Sequence, residues 1–216
     1  YYLDKNHSDS KLAFNMLFQK LDELDLKLNP SMLVLRDFEM ESNLNQKFHQ
    51  HGFIKANMPE SCTIENLNWK NTDAYIASLS SRNRRHFRKD IVPFESCFEI
   101  TIKSELNSQE LSHLYELYEN VRKNNLGLNT FSFPKKMVEN MSNHPNWEFI
   151  ILTLKKELHP ENNIPVGVMF CYKNGDNLYT PAFVGMNYDY LRKYQIYRQL
   201  LFQTIKRAGE LGFNSI

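Results

Sequence analysis

Apolar positions along this chain fall into two periods, and the changes between them mark its elements. The clearest succession lies at 166–216. Val166-Gly-Val-Met-Phe-Cys-Tyr172 is a continuous apolar run, Lys173-Asn-Gly-Asp176 is a turn centred on Asn-Gly, and Asn177-Leu-Tyr-Thr-Pro-Ala-Phe-Val184 is a second run. Together they predict a hairpin. From Tyr197 the residues Tyr197, Leu200, Leu201, Thr204, Ile205 and Ala208 recur at helical spacing, with Arg198, Gln199, Gln203, Lys206, Arg207 and Glu210 opposite. That spacing predicts a helix buried along one stripe. Gly212 supplies its stop, and Phe213-Asn-Ser-Ile216 opens another strand.

Upstream, residues 8–27 read as a helix with Leu12, Met16, Leu17, Leu21 and Leu24 inward, capped by Ser8 or Ser10 and broken by Asn29-Pro30. Short strands are predicted at 32–36, 53–56 and 62–64, and a helix at 41–50 with Leu44 and Phe48 inward and Gly52 as its stop. Thr72 or Asp73 caps a further helix whose apolar members are Tyr75, Ile76, Leu79, Phe87 and Ile91, restarted after a bend at Ser80 or Ser81. Residues 97–103 alternate as a half-buried strand. Asn107 or Ser108 caps a helix carrying Leu111, Leu114, Tyr115, Tyr118 and Val121 as far as Gly127, and Pro134 opens another with Met137, Val138 and Met141 inward. A strand at 147–154 and a polar excursion at 155–163 complete the series.

Length allows one large domain or two small ones at 216 residues, and 42% hydrophobic with 13% aromatic residues excludes disorder. A net charge of +1 makes no general case for nucleic acid, so anion binding must come from local clusters. No apolar run approaches the roughly 20 residues of a membrane span. Cys62, Cys97 and Cys171 are odd in number and widely spaced, which predicts reduced thiols in a cytoplasmic protein. His49 and His51 straddle a helix end and no paired ligand spacing occurs, so no metal site is expected. The chain starts at Tyr1 and stops four residues into an apparent strand, so part of a longer protein is expected to be missing.

Two basic clusters carry the candidate chemistry. Arg192 and Lys193 precede the last helix, where its dipole disfavours cations by roughly 0.3–1 kcal/mol each; either an anion sits there or both are solvated loop residues. Arg82, Arg84, Arg85, Arg88 and Lys89 fill about two turns with only Asp90 to offset them. Repulsion between Arg84 and Arg88, and between Arg85 and Lys89, works against that helix unless an anion or buried carboxylate compensates. A solvated basic face is the alternative.

The stretches Pro165-Val-Gly167, Phe183-Val-Gly185, Leu191-Arg-Lys-Tyr-Gln-Ile-Tyr197 and Ala208-Gly-Glu-Leu-Gly-Phe213 resemble the core of the GNAT superfamily of acyltransferases. Leu79-Ser-Ser-Arg-Asn-Arg-Arg-His-Phe-Arg-Lys89 resembles the basic helix of its FemABX-like and peptidoglycan-biosynthesis-like members, which are built from two tandem halves. The resemblance spans about 50–216 and implies an α/β (α+β) fold with a mixed central sheet flanked by helices. It implies a remainder of an N-terminal half at 1–70, a basic connecting helix at 71–96, and a C-terminal half at 97–216 that runs through its fifth strand. His51-Gly-Phe-Ile54 and Leu211-Gly-Phe-Asn214 echo each other after two helices, as a duplication would leave them. The family's pyrophosphate loop carries glycines between its basic residue and its helix, where this chain has Tyr194, Gln195 and Ile196.

By that resemblance the chain is an N-acyltransferase moving an acyl group from acyl-CoA or an acyl carrier protein to a small-molecule amine. The donor would be held by Val184, Gly185, Arg192, Lys193, Tyr194 and Tyr197, and Arg84, Arg85 and Arg88 would bind substrate. Amide formation from a thioester needs a base, an acid and a polarised carbonyl. Tyr188 and Asp189 lie nearest the donor site, with Glu148 near the start of a central strand as a further base. Tyr172, Tyr179, Phe183, Tyr190 and Tyr194 either line an acyl pocket or fill the core. Two rival readings stand beside this one: an aminoacyl-tRNA-dependent FemABX-type peptidyl transferase, and a GNAT-like module that binds a partner without catalysis.

Overall fold

The computed structural model describes residues 6–35, 45–56, 62–124, 132–158, 164–175 and 177–216. Expectations at Arg36, at 41–44 including Leu44, at Gly127, at 159–163 and at Asp176 lie outside the described residues. The chain forms two compact units, Tyr1–Ser61 and Cys62–Ile216.

In the first unit, α1 (Ser10–Leu28) turns Phe14, Phe18 and Leu21 inward, whereas Leu12 and Met16 are 59% and 60% exposed. The buried face is therefore rotated from the predicted one, because two phenylalanines four residues apart bury more area than the Leu/Met pair. Their rings pack edge-on, with centroids 4.9 Å apart, and both reach Phe48 at 5.5 Å. Asp9 rather than a serine precedes the helix, and Asn29 ends it in the left-handed region at φ 44°. Phe48 lies on α2 (Asn45–Gln50). Residues 32–35 and 53–56 form no strand; Leu33, Leu35 and Phe53 instead pack onto the rings.

The second unit begins with three short helices. Asn71, not Thr72 or Asp73, caps α3 (Thr72–Ser78) by accepting from Ala74 N–H at 2.9 Å. Leu79 is extended at ψ 154° and ends it. The Ser80 hydroxyl then caps α4 (Ser81–Asp90) through Asn83 N–H, and α5 (Val92–Glu95), with proline in its first turn, follows.

β1 (Phe98–Lys103) leads to α6 (Ser108–Asn124), where the Gln109 and Glu110 amides donate to the Asn107 side chain at 3.0 Å, and to α7 (Lys135–Ser142). β2 (Trp147–Leu154), β3 (Pro165–Asn174) and β4 (Leu178–Met186) complete an antiparallel sheet in the order β1-β2-β3-β4. The hairpin strands run further than their apolar runs, since Asn174 pairs with Leu178 and Asn177 takes φ 63°. β2 and β3 are buried on both sides, as continuous apolar sequences require. Phe149, Ile151, Val168 and Phe170 meet α6 and α7 on one face; Ile150, Leu152, Met169 and Cys171 meet the last helix, α9 (Ile196–Glu210), on the other.

α9 does not bury one stripe. Gln199 and Gln203 are buried, while Tyr197 and Leu201 are 46% and 37% exposed. Ile196, Leu200 and Ala208 face the sheet; Phe202 and Ile205 face the α3–α5 layer, where Phe202 meets Phe87 at 5.3 Å. The glutamines point into that second contact. Gln199 donates to the Ile91 carbonyl, and Gln203 donates to Glu95 at 3.0 Å beside Lys206 at 2.5 Å. Residues that read as a solvated face thus anchor a second layer.

Beyond α9, Gly212 turns at φ 77° and Phe213–Ile216 joins the edge of the sheet, as Tyr179 N–H donates to Ser215 carbonyl at 2.9 Å. Its bridge to Leu178 is parallel, so the sheet is mixed where this segment begins. Ile64 and Ile216 exchange both backbone bonds on its far side, which replaces the strand predicted at 62–64 by a single antiparallel bridge.

Two glycines permit the layers to close. A Cβ on Gly185 of β4 would lie 2.7 Å from Tyr118 N and 2.8 Å from Leu117 carbonyl carbon in α6. One on Gly167 of β3 would lie 2.7 Å from Ile196 Cγ2 in α9. Gly209, inside α9, has open space around it. Gly185→Ala should therefore lower stability by about 1–3 kcal/mol, because backbone must move, while Gly209→Ala should raise it by about 0.5–1 kcal/mol. Denaturant midpoints for the two variants, shifted in opposite directions, check this.

Candidate functional site

The site expected from the sequence lies between β4 and α9. Asn187 N–H donates to Val166 carbonyl at 2.9 Å, tying the connection to the start of β3, and its side chain accepts from Asp189 N–H to cap α8 (Tyr188–Leu191). Tyr194 is buried at 6% exposure against Phe98 and fixes the inner wall of the turn. Gln195 then adopts φ 54°, ψ 40°, a left-handed conformation normally left to glycine. Its side chain donates to Arg192 carbonyl at 2.9 Å and accepts from Arg198 at 3.0 Å, so local bonds hold the geometry that a glycine would reach freely.

The first bond inside α9 runs from Gln199 N–H to Gln195 carbonyl. The amides of Ile196, Tyr197 and Arg198 thus have no partner within the helix. No side chain caps this end, and no acidic residue stands in its first turn. Arg192 and Lys193 are exposed beside it, Lys193 lying 5.0 Å from the centre of the Tyr194 ring. Ile196 is fully buried, whereas Tyr197 and Arg198 are exposed; uncapped amides at a positive dipole end, with cations beside them, suit a phosphate.

Of the predicted donor contacts, Arg192, Lys193 and Tyr197 surround this end, and Val184 is half-buried in the sheet core. Gly185 faces the backbone of α6 and Tyr194 is core. Tyr188 is 38% exposed and Asp189 is exposed, both on the one-turn α8. Phe183 and Tyr172 stack around Trp147 on the α6 side, whereas Tyr179 is buried on the α9 side.

Glu148 lies elsewhere, on the α9 face at the start of β2, and is 2% exposed. One carboxylate oxygen accepts from Tyr179 Oη at 2.6 Å and from Arg207 Nε at 2.8 Å; the other accepts from Arg207 Nη2 at 3.0 Å, with Lys173 Nζ at 3.8 Å. Burial works to raise its pKa, but the guanidinium and the phenol outweigh it and hold the carboxyl below its ordinary value. Burial raises the Tyr179 phenol and pushes the neighbouring Cys171 thiol up to about 12. A lone glutamate within Trp147-Glu-Phe-Ile-Ile-Leu152 was the sequence signal for this network, since charge at such a position needs a partner; its partners Tyr179 and Arg207 carried none.

The third group lies on α4. Ser81, Arg84, Arg85, Arg88 and Lys89 line an open concavity of about 620 Å³. Arg84 donates to the Ala77 carbonyl at 3.3 Å, and Asp90 is taken by His86 at 2.8 Å. Among the described residues no carboxylate pairs with Arg84, Arg85, Arg88 or Lys89. Like charges four apart cost about 0.2–0.5 kcal/mol per pair. Among the described residues no group of His, Cys, Asp and Glu could hold a metal ion, and no helix is long and apolar enough to cross a membrane.

The family model for an acetyltransferase (GNAT) domain matches residues 81–216, the whole run from α4 to the segment after α9. The chain belongs to the GNAT acetyltransferase family. A search of curated proteins found no match. GNAT domains transfer acyl groups and generally use acyl-CoA. In this GNAT domain Gln195, and not a glycine, takes the left-handed conformation before α9.

The Glu148 network yields a prediction of definite sign. The carboxyl's folded value is depressed below its ordinary 4.5, so its contribution is complete above about pH 4.5 and is lost as pH falls through the folded value. Glu148→Gln leaves Arg207 only the exposed Glu210, at 3.7 Å, and should cost about 3 kcal/mol at neutral pH. The loss should shrink as pH drops below 4.5, which thermal melts between pH 3 and 7 will show.

Proposed function

We propose that this GNAT protein is an N-acyltransferase that carries an acyl group from acyl-CoA to a small-molecule amine. The observation that carries the reading is the start of α9, uncapped by a side chain, where Gln195 takes φ 54° and the exposed Tyr197 and Arg198 follow Arg192 and Lys193. Those residues fit a pyrophosphate, and their amides and cations would hold it. Bound there, acyl-CoA supplies an activated acyl carbon. Transfer forms a C–N bond and breaks a C–S bond, one proton leaving the amine and one reaching the sulfur.

The chain's own contribution is mostly placement, since orienting two reactants removes much of the entropic barrier. Backbone amides of β4 supply polarisation of the thioester carbonyl. Asp189 and Tyr188, on α8 beside the donor end and open to solvent, serve as base and acid. Glu148 does not serve proton transfer in this scheme, because both its oxygens are engaged by Arg207 and Tyr179. It braces the sheet against α9. Solvent-exposed thiols are not required, and Cys171, with its raised pKa, stays protonated at neutral pH; a cytoplasmic location accords with that chemistry.

Incubation of the protein with a panel of acyl-CoA and acyl carrier thioesters and candidate amines, followed by free thiol, tests the reading. Arg192→Ala/Lys193→Ala should raise KM for the donor about tenfold, the loss of about 1.4 kcal/mol, with kcat little changed. Asp189→Asn should lower kcat about 100-fold without changing KM, within the usual range for a general base. Thiol release with every donor equal to the buffer blank would refute acyl transfer.

A further inference from the structure

We infer that the concavity on α4 is a second anion site, one that takes a small molecule through two adjacent phosphates. The inference goes beyond acyl transfer and does not depend on it. Its basis is an array of Arg84, Arg85, Arg88 and Lys89, with the Ser81 hydroxyl, around a volume of about 620 Å³. The surface is shallow and open, and all five lining residues belong to α4, so a ligand would lie along the helix and not inside a cleft.

The array is fixed in place from behind. Phe87 packs between Tyr75 at 5.5 Å and Phe202 at 5.3 Å. Gln199 of α9 donates to the Ile91 carbonyl just past the end of α4, and Glu95 of α5 is bound by Gln203 and Lys206. The apolar side of α4 is thus committed to the core, and its cations are held outward as a set. The acid that could neutralise them is withdrawn, since Asp90 bonds His86 on another face. No acidic residue stands in the first turn of α4 either, although its dipole favours one there.

Arginine forks bind phosphate oxygens two at a time, and cations one helical turn apart can clamp neighbouring phosphates from both sides. The lining contains no aromatic residue on which a nucleobase could stack, so recognition is of the phosphates and not of single-stranded RNA. A protein partner would need a broader contact with an apolar centre, and the lining residues provide none. An open cationic array without apolar or aromatic members favours a compact polyanion.

Calorimetric titration of the whole chain with sodium pyrophosphate, orthophosphate and a glutamate-rich decapeptide at low salt tests this. Pyrophosphate should bind at least about tenfold tighter than orthophosphate and than the peptide, and Arg84→Gln/Arg88→Gln should weaken it by at least about tenfold per arginine. The titrations are made in the Arg192→Ala/Lys193→Ala background, which removes the cations at the donor end of α9 and leaves the α4 array as it is. The glutamine variant should melt no lower than the parent, because like-charge repulsion is relieved. If it fails to fold, Arg84→Lys/Arg88→Lys keeps the charge, removes the forked geometry and should still lose at least about threefold in affinity. Pyrophosphate binding that, in that background, survives either α4 variant, is matched by orthophosphate or the peptide, or is absent at low salt overturns the inference.

Discussion

The second unit depends on α9 being enclosed from two sides at once. Against the sheet, Ile196 reaches so near β3 that only a glycine fits at 167, and Leu200 and Ala208 are fully buried. On the other side Phe202, Ile205, Gln199 and Gln203 meet the α3–α5 layer. A helix covered on one side has one orientation fixed by burial; a helix covered on both has its rotation and its axial position fixed as well. The start of α9 and the cations of α4 are consequently positioned by one packed element.

The same logic operates at the far end of α9. Arg207 reaches across to Glu148 on β2, and Tyr179 on β4 shares that carboxylate, so helix, inner strand and outer strand meet at one buried charge. Ser215 bonds Tyr179 beside it, where the segment after α9 joins β4. A buried ion pair adds little net stability compared with apolar packing, but a misplaced one is costly. Its effect is to penalise any other register of α9 on the sheet. The bulge in β4, where Ala182 has no partner between Phe183 opposite Phe170 and Pro181 opposite Cys171, places Tyr179 on the α9 side while Phe183 faces α6.

Much of this fold was legible where a single period governed a segment. The hairpin, β2, α6 and α7 followed from continuous runs or from one amphipathic stripe. The sequence misled where a polar residue had a buried partner far along the chain. Gln199 and Gln203 read as solvent-facing because their partners, Ile91 and Glu95, are 108 residues away. In the first unit the phenylalanines outweighed the more regular leucines, and the short apolar runs at 32–35 and 53–56 form no strand and pack only through Leu33, Leu35 and Phe53. The echo around Gly52 and Gly212 has a local cause. Phe53 N–H bonds Phe48 carbonyl and Phe213 N–H bonds Ala208 carbonyl, while each glycine N–H bonds the residue three before it. Both are the same glycine-terminated helix end, which selects Gly-Phe whatever the ancestry of the segments.

The candidate site was legible as charge and not as backbone. Arg192 and Lys193 drew notice because cations sit badly at a helix start, yet the feature that opens the amides is the left-handed Gln195, which has no sequence signature. A non-glycine residue in that conformation costs on the order of 1 kcal/mol, and two side-chain bonds from Gln195 offset part of it. The neighbouring residues show why glycine is dispensable here. Tyr194 fills the core below the turn and Ile196 seals β3, so both flanking positions demand large side chains and the turn between them must be made by one residue. The strained residue and the tight contact at Gly167 are therefore two consequences of the same close approach of α9 to the sheet, which buries Ile196 and leaves Tyr197 and Arg198 exposed.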